Sequence, residues 1–211
     1  MARNRENEVK LAVPDVGKLV GHLRTIGAER VTRVHEHNTL FDTPDRQLQR
    51  LGSILRIRCE HIAEYRTGFH PKRRPDGPSE GLLTFKGPVG RSIRSSKYKE
   101  REEIEFHLKD ADRFAGVLRR IGMRPWFQYE KYRTKYRVRG DARLHIDLDE
   151  TPMGVFLELE GSRRAIDCTA KALGYAVHDY ITASYFELYA ADCAKEGLKV
   201  TNMVFHKKKN R

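Results

Sequence analysis

The stretch that decides the fold is Glu130-Lys-Tyr-Arg-Thr-Lys-Tyr-Arg-Val138, in which a basic residue occupies every second position. Successive side chains of a β-strand point to opposite sides, so this period of two predicts a strand with one basic face. The tyrosines of residues 129–136 fall on the face opposite the charges. Like charges two residues apart repel each other, and something lying between them must offset that repulsion. The basic face consists of Lys131, Arg133, Lys135 and Arg137.

The same alternation recurs along the chain and sorts the charges by strand. Acidic pairs such as Glu158-x-Glu160 mark some strands, and basic pairs such as Arg56-x-Arg58 mark others. A merely solvated strand face gives no reason for this sorting, whereas divalent cations suit the acidic pairs and a polyanion suits the basic ones. Eight strands are predicted, over residues 6–11, about 33–41, 53–59, 82–87, 101–106, 130–138, 143–149 and 155–160.

Four amphipathic helices are predicted over residues 14–27, 110–122, 162–174 and about 179–196. Their apolar stripes can cover the apolar strand faces from outside, which turns the charged faces inward. A closed antiparallel barrel satisfies this arrangement without an open sheet edge. The predicted fold class is therefore α+β: a closed eight-stranded antiparallel β-barrel, or tunnel, with a charged lumen and helices packed outside.

The composition narrows the class of protein. The chain has 211 residues, and 41 Lys and Arg against 29 Asp and Glu give a net charge of +12, which points to an anionic partner. No apolar run approaches the roughly 18 residues of a membrane span. The three cysteines form no CxxC pair and predict neither a disulfide framework nor a zinc site. We expect a cytoplasmic protein with no membrane partner, built as one domain over residues 1–205 with a basic tail over residues 206–211.

The predicted lumen carries charges of both signs. Such a lumen stays wet, because burying unpaired ions costs several kcal/mol each, and a ligand that itself carries both signs suits it best. Carboxylates offer oxygen ligands to Mg²⁺ or Mn²⁺, while Arg and Lys contact phosphate oxygens, so a metal-complexed polyphosphate fits both groups. The acids are Glu6, Glu8, Glu103, Glu105, Asp147, Asp149, Glu158 and Glu160. The bases are Lys10, Arg56, Arg58, Lys86, Arg101, Lys131, Arg133 and Lys135.

Other site types find little support in the sequence. The chain contains no P-loop, no GxGxxG after a strand, no GxSxG and no HExxH. Single-stranded nucleic acid needs aromatic residues among the charges, and the tyrosines fall on the other face. Nucleic-acid binding stays open through the basic loops within residues 61–99 and through the basic tail.

An ordered set of motifs resembles the CYTH family, the triphosphate tunnel metalloenzymes. The segments that carry the resemblance are Glu6-x-Glu8-x-Lys10, Leu40-Phe-Asp-Thr43, Leu55-Arg-Ile-Arg58, Leu83-Thr-Phe-Lys-Gly87, Arg101-x-Glu103-x-Glu105, Lys131-x-Arg133, Leu148-Asp-Glu-Thr-Pro152 and Phe156-Leu-Glu-Leu-Glu-Gly161. Ser184-Tyr-Phe-Glu-Leu188 resembles the C-terminal helix of bacterial members labelled class IV adenylyl cyclase-like. The resemblance covers nearly the whole chain.

The resemblance implies a role for each group of lumen residues. Triphosphate binding is implied for Lys10, Arg56, Arg58, Lys86, Lys131 and Arg133, with Arg101 and Lys135 beside them. Binding of Mg²⁺ or Mn²⁺, two ions per site, is implied for Glu6, Glu8, Glu158 and Glu160, with Asp149 or Asp147. The candidate catalytic residues are Lys10, Lys86, Glu103 and Glu105, and the two glutamates are either metal ligands or partners that orient the arginines.

The resemblance leaves the reaction open. Attack by the ribose 3′-hydroxyl of ATP gives cyclic AMP and pyrophosphate, the reaction of an adenylyl cyclase. Attack by water makes the protein a triphosphatase acting on inorganic triphosphate, thiamine triphosphate or nucleotides. A non-catalytic polyphosphate-binding or nucleotide-binding module is a third alternative. The segment over residues 61–81 forms either a lid or a plain loop, and a homodimer is an open alternative.

Overall fold

Eight strands form one closed barrel, in the order β1-β5-β4-β3-β2-β6-β7-β8 with every neighbouring pair antiparallel. The computed structural model describes residues 5–63, 79–88 and 97–205, apart from the side chains of Arg5, Glu6, Asp141 and Ala142. The strands are β1 Arg5–Ala12, β2 Ala28–Asp42, β3 Ile54–Ile62, β4 Gly81–Lys86, β5 Lys99–Leu108, β6 Arg124–Val138, β7 Asp141–Thr151 and β8 Gly154–Gly161. The predicted fold class is confirmed.

The strands β2 and β6 are longer than the sequence predicts, at 15 residues each. They pair along nearly their whole length, from Ala28 opposite Val138 to Asp42 opposite Arg124. Pro125 lacks a backbone N–H and is tolerated because the register shifts between Leu40 and Phe41, where Pro125 pairs.

Helices α1 Val16–Thr25, α3 Ala111–Arg120 and α4 Arg163–Ala172 pack against the outside of the barrel. Their N-caps are Asp15, Asp110 and Ser162, and each side chain accepts a hydrogen bond from a backbone N–H of the first turn. Leu23 of α1 and Ile166 of α4 are fully buried against the apolar faces of β1, β7 and β8. The apolar faces of these strands therefore point outward, toward the helices, as the alternation predicts.

The last helix differs from its prediction over residues 179–196. A short 3-10 turn spans Val177–Asp179, and α5 begins only at Tyr185 and ends at Lys195. Ser184 and Glu187 form a capping box that fixes this start, because the side chain of each accepts a hydrogen bond from the backbone N–H of the other. The first turn of α5 lines the barrel cavity, and Tyr185 packs there against Tyr129 and Phe156. A further short helix, α2 Gln47–Arg50, was not predicted.

Some predictions concern parts of the chain outside the described residues. Most of the segment 61–81 lies there, as does the basic tail over residues 206–211. The three cysteines are free thiols, in agreement with their spacing. Within the described ranges, none of the helices has the length and apolar composition required to cross a membrane.

Candidate functional site

The barrel encloses a cavity of about 580 Å³ with both signs of charge on its wall. Period-two alternation turns the charged face of each strand inward, so side chains distant in sequence meet in one space. The predicted site residues that line it are Glu8, Lys10, Arg56, Arg58, Lys86, Arg101, Glu103, Glu105, Lys131, Arg133, Lys135, Asp147, Glu158 and Glu160. Asp149 lies behind this wall, and the side chain of Glu6 is outside the described set.

The pairing of β1 with β8 places an ammonium between two carboxylates. Lys10 lies opposite Glu158, and its Nζ is 2.9 Å from Glu158 Oε1 and 3.1 Å from Glu8 Oε1. Burial on its own lowers the pKa of Lys10, but the two carboxylates outweigh burial and raise it. Burial on its own raises the pKa of Glu8, but Lys10, Lys99 and Lys86 together outweigh it and hold that pKa at about 2. Both groups are therefore charged at neutral pH.

A second pair on these strands consists of two acids. Glu8 and Glu160 lie directly opposite each other. Burial and the nearby Glu8 carboxylate raise the pKa of Glu160. Because both carboxylates line the cavity, a divalent cation could bind between Glu8 and Glu160. Among the described side chains, no group of three acidic, histidine or cysteine residues is arranged to hold a metal ion.

Asp149 organises the cations of β6 from behind the cavity wall. Its carboxylate is fully buried and accepts hydrogen bonds from Lys131 Nζ at 2.8 Å and Arg133 Nη2 at 2.6 Å. It also accepts one from the Tyr185 hydroxyl at 2.6 Å. Burial and the Asp149 carboxylate raise the pKa of that hydroxyl, so Tyr185 is a neutral donor. The geometry gives Asp149 the contacts of an anchor for the two cations.

Glu36 is a second buried anchor, and the sequence analysis did not identify it. Its carboxylate lies 3.4 Å from both Arg58 Nη1 and Lys131 Nζ, and 3.6 Å from Arg133 Nε. Burial opposes its ionisation, but these three cations outweigh burial and lower the pKa of Glu36 far below its usual range. The available signal was the alternation Val34-x-Glu36-x-Asn38, which is weaker than in the other strands.

Four cations gather on the part of the cavity wall that β3, β4 and β5 form. Lys99 was not predicted as a site residue, yet it lines the cavity with Arg101, Lys86 and Arg56. Burial and the charges of Lys10, Arg101 and Lys86 lower the pKa of Lys99 to about 8, although Glu8 opposes them. The Nε and Nη1 atoms of Arg101 are buried and have no hydrogen-bond partner among the described residues. We call Arg56, Lys86, Lys99 and Arg101 the cation cluster.

Two glutamates of β5 line the cavity, and they contact the cation cluster directly or through Thr84. Glu103 Oε2 is 2.8 Å from Lys86 Nζ. Glu105 accepts a hydrogen bond from the Thr84 hydroxyl at 2.9 Å. The hydroxyl oxygen of Thr84 in turn accepts a hydrogen bond from Arg56 Nη2 at 3.2 Å. These contacts are those of side chains that orient cations. At the other end of the tunnel, Lys135 is half-exposed and pairs with Glu60 at 3.3 Å.

One tyrosine lies on the charged side, contrary to the sequence analysis. The Tyr129 hydroxyl accepts a hydrogen bond from Arg56 Nη1 at 3.4 Å and the ring lines the cavity. Tyr132 does lie on the outer face, where it packs with His35. The reason is that Tyr129 and Lys131 are two residues apart, and this even spacing places both on the same strand face.

Together, the fold and the site define a closed β-barrel whose tunnel wall carries charges of both signs. The chain matches the model of the CYTH domain over residues 4–181. It therefore belongs to the CYTH family, which confirms the resemblance drawn from the motifs.

Individual relatives carry adenylate cyclase names. A Methanocaldococcus jannaschii protein named "Putative adenylate cyclase" is 28% identical over 193 residues, which cover 87% of this chain and 97% of the relative. The structure of a Vibrio parahaemolyticus protein described as a putative adenylate cyclase has a TM-score of 0.69 at 20% identity, and the match covers 88% of this chain and 97% of that one.

A more distant structure carries a second activity. A Hippeastrum protein is described as a putative adenylyl cyclase with a dominant triphosphatase activity. Its TM-score is 0.56 at 17% identity, and the match covers 93% of this chain and 97% of that one. At this identity the two solved structures establish similarity of fold.

Proposed function

We propose that this protein is a divalent-metal-dependent enzyme that binds ATP by its triphosphate inside the tunnel and converts it to cyclic AMP and pyrophosphate. The observation that carries the proposal is the cation cluster. Like charges held together inside a protein cost free energy, and the buried Nε and Nη1 groups of Arg101, which have no hydrogen-bond partner among the described residues, add to this cost. An anion with several negative charges removes both costs, so the cluster is explained by a polyphosphate ligand.

The positions of the cations suggest how the phosphate chain lies. Arg56 and Arg101 offer planar forks that suit bidentate contacts with phosphate oxygens, and Lys86 and Lys99 offer point charges. Lys10 is the innermost of these groups, and Glu8 and Glu158 already hold it in place. Lys131 and Arg133 are held by Asp149 and support the chain from the opposite wall. Preorganised charges of this kind stabilise a transition state without having to rearrange.

The paired acids Glu8 and Glu160 fit a divalent cation. Mg²⁺ in proteins is usually held by one or two carboxylates with substrate phosphates and water, and a complete protein cage is not required. Glu158, and Glu6 by its motif, would complete the set as the resemblance implies. A cation bound there would neutralise phosphate charge and make a coordinated hydroxyl more acidic.

In the proposed reaction the ribose 3′-hydroxyl oxygen forms a bond to the α-phosphorus. The bond from the α-phosphorus to the bridging oxygen breaks, and pyrophosphate leaves with the electron pair. The hydroxyl proton is released to the solvent of the tunnel. Lys10 and Lys86 would stabilise the charge that develops on the departing pyrophosphate, which is the catalytic role we assign to them.

Triphosphate hydrolysis is the second candidate. The cations that grip a phosphate chain serve attack by water as well as attack by a hydroxyl, and the tunnel is wet. The Hippeastrum neighbour, described as having a dominant triphosphatase activity, shows that this fold supports such a reaction. Substrates would be inorganic triphosphate, thiamine triphosphate or nucleotides.

The test is a product assay read by phosphorus NMR. The protein is incubated with ATP, and separately with inorganic triphosphate, in Mg²⁺ and in Mn²⁺. Cyclic AMP with pyrophosphate supports the cyclase, and orthophosphate supports the triphosphatase. Tight binding without a product in either metal would leave a non-catalytic binding module.

Variants decide whether the acidic pair acts through a metal. The double change Glu8→Gln and Glu160→Gln should abolish metal-dependent turnover and leave the fold intact. Glu29→Gln is the matched control, because Glu29 is exposed on the outside and pairs with Arg139. Unchanged turnover in the double variant would contradict the proposed metal site.

A further inference from the structure

Part of the cavity wall is apolar, where β3, β6 and α5 come together. Trp126 of β6 and Phe186 of α5 meet edge to face, with ring centroids 4.7 Å apart. Phe186 is braced from behind by Phe127, at 5.1 Å between centroids. Ile54, at the start of β3, lines the cavity beside them. We call Ile54, Trp126 and Phe186 the aromatic rim.

The aromatic rim and the cation cluster belong to the same cavity. Ile54 lies opposite Lys86 in the β3–β4 pairing, so the apolar rim begins where the cations end. A phosphate chain has no favourable contact with apolar rings, and apolar surface left facing water is costly. The volume of about 580 Å³ lies within the roughly 300–1,000 Å³ of pockets that enclose drug-sized ligands. An inorganic triphosphate is smaller than such ligands and would leave the rim bare.

We infer that the aromatic rim binds the base of a nucleoside triphosphate whose phosphates lie on the cation cluster. Aromatic side chains beside a basic groove are the arrangement with which proteins stack nucleobases. The inference rests on the proposed function and adds a specificity to it: the protein distinguishes ring-bearing triphosphates from inorganic triphosphate. Phe186 lies beyond residue 181, where the match to the CYTH domain ends.

The charge around the rim selects an uncharged ring. The Arg46 guanidinium lies over the Trp126 ring, 4.5 Å from its centroid. A second cation brought to this rim would be repelled, and the thiazolium of thiamine triphosphate is such a cation. A neutral nucleobase meets no such repulsion, so the rim favours ATP over thiamine triphosphate.

The chain supplies its own probe for the test, because Trp126 is its only tryptophan. The full-length protein is titrated with ATP, thiamine triphosphate and inorganic triphosphate. Calorimetry measures occupancy, and tryptophan fluorescence reports on the rim. We expect ATP to change the fluorescence with the midpoint found by calorimetry, and inorganic triphosphate to bind without changing it. Thiamine triphosphate should bind more weakly than ATP.

A variant on α5 separates stacking from packing. Phe186→Leu keeps an apolar side chain but removes the ring, and we expect the affinity for ATP to fall about tenfold. The affinity for inorganic triphosphate should change less than twofold. Tyr189→Leu is the control. Tyr189 lies on the same helix as Phe186 and also packs against Phe127 of β6, but it does not line the cavity.

Each contrary result has a distinct meaning. ATP binding without a fluorescence change, or an equal loss of ATP and inorganic triphosphate affinity in Phe186→Leu, would overturn the base site and leave the proposed function standing. Tighter binding of thiamine triphosphate than of ATP would overturn the choice of a neutral ring. If none of the three compounds binds, the inference and the proposed function both fail. Should Phe186→Leu not fold, the fluorescence of the unchanged protein still decides.

Discussion

Replacing Lys99 with methionine should raise the stability of the protein and lower its affinity for triphosphate. The fold lowers the pKa of Lys99 from its ordinary 10.5 to about 8, chiefly by burial and also through neighbouring cations. Each unit of pKa corresponds to roughly 1.36 kcal/mol, so the charged form costs the fold at most about 3 kcal/mol at neutral pH. Methionine has a similar length and no charge. We expect Lys99→Met to raise the free energy of unfolding by about 1–3 kcal/mol.

The pH dependence of this gain has a definite sign. Below about pH 8 Lys99 is protonated in both the folded and the unfolded state, and the full cost is present. Between about pH 8 and 10.5 the unfolded state binds more protons than the folded state, so the stability contributed at this site rises with pH. The advantage of Lys99→Met should therefore shrink above pH 8 and disappear near pH 10.5.

Urea denaturation at several pH values measures the stability, and calorimetry with inorganic triphosphate measures the binding. The affinity of Lys99→Met should fall at least tenfold, because a charge next to the phosphate chain is lost. Lys97→Met is the control: Lys97 is more exposed and pairs with Asp167, so its loss should not stabilise the fold. A Lys99→Met protein that is less stable than the wild type and binds triphosphate equally well would refute the reasoning.

Three further changes test the buried anchors, each by urea denaturation. Asp149→Asn removes the carboxylate that holds Lys131 and Arg133 and should cost about 3–5 kcal/mol; a loss below 1 kcal/mol would contradict its role as an anchor. Tyr185→Phe removes one hydrogen bond to that carboxylate and should cost about 1.5–3 kcal/mol, with the ring packing retained. Because the pKa of Glu36 is lowered, its charge stabilises the fold above pH 4.5, and this stability is lost as the pH falls. Glu36→Gln should therefore lose less stability between pH 5 and 3 than the wild type. An equal loss in both proteins would contradict the role of Glu36 as a charged anchor.

The strand alternation was a sufficient guide to the barrel and to most of its lumen. A period of two is a local property, so Arg56-x-Arg58 or Glu158-x-Glu160 reveals its shared face without knowledge of its neighbours. The sorting of charges by strand predicted an inward face, and 14 of the predicted residues line the cavity. Helix starts at Asp15, Asp110 and Ser162 were equally local and equally visible.

The sequence did not predict which buried carboxylates hold the cations of the lumen, nor where helix α5 begins. Glu36 and Lys99 follow the alternation of their strands, but this alternation does not reveal their roles, because the environment of each is set by strands far away in sequence. The same holds for Asp149, which the alternation groups with Asp147, although Asp149 lies behind the cavity wall and Asp147 lines it. Helix α5 was placed six residues too early, although Ser184-x-x-Glu187 marks its start.

The sequence by itself therefore determined which side of each strand meets the lumen, and hence the closed barrel, its mixed charge and its family. The tertiary structure alone decided which charges are neutralised and which are not. Barrel closure brings Glu36 to Arg58, Lys131 and Arg133, and it leaves the Nε and Nη1 atoms of Arg101 without a hydrogen-bond partner among the described residues. Coulomb energy depends on distance and burial. A strand pattern specifies neither until its neighbours are in place.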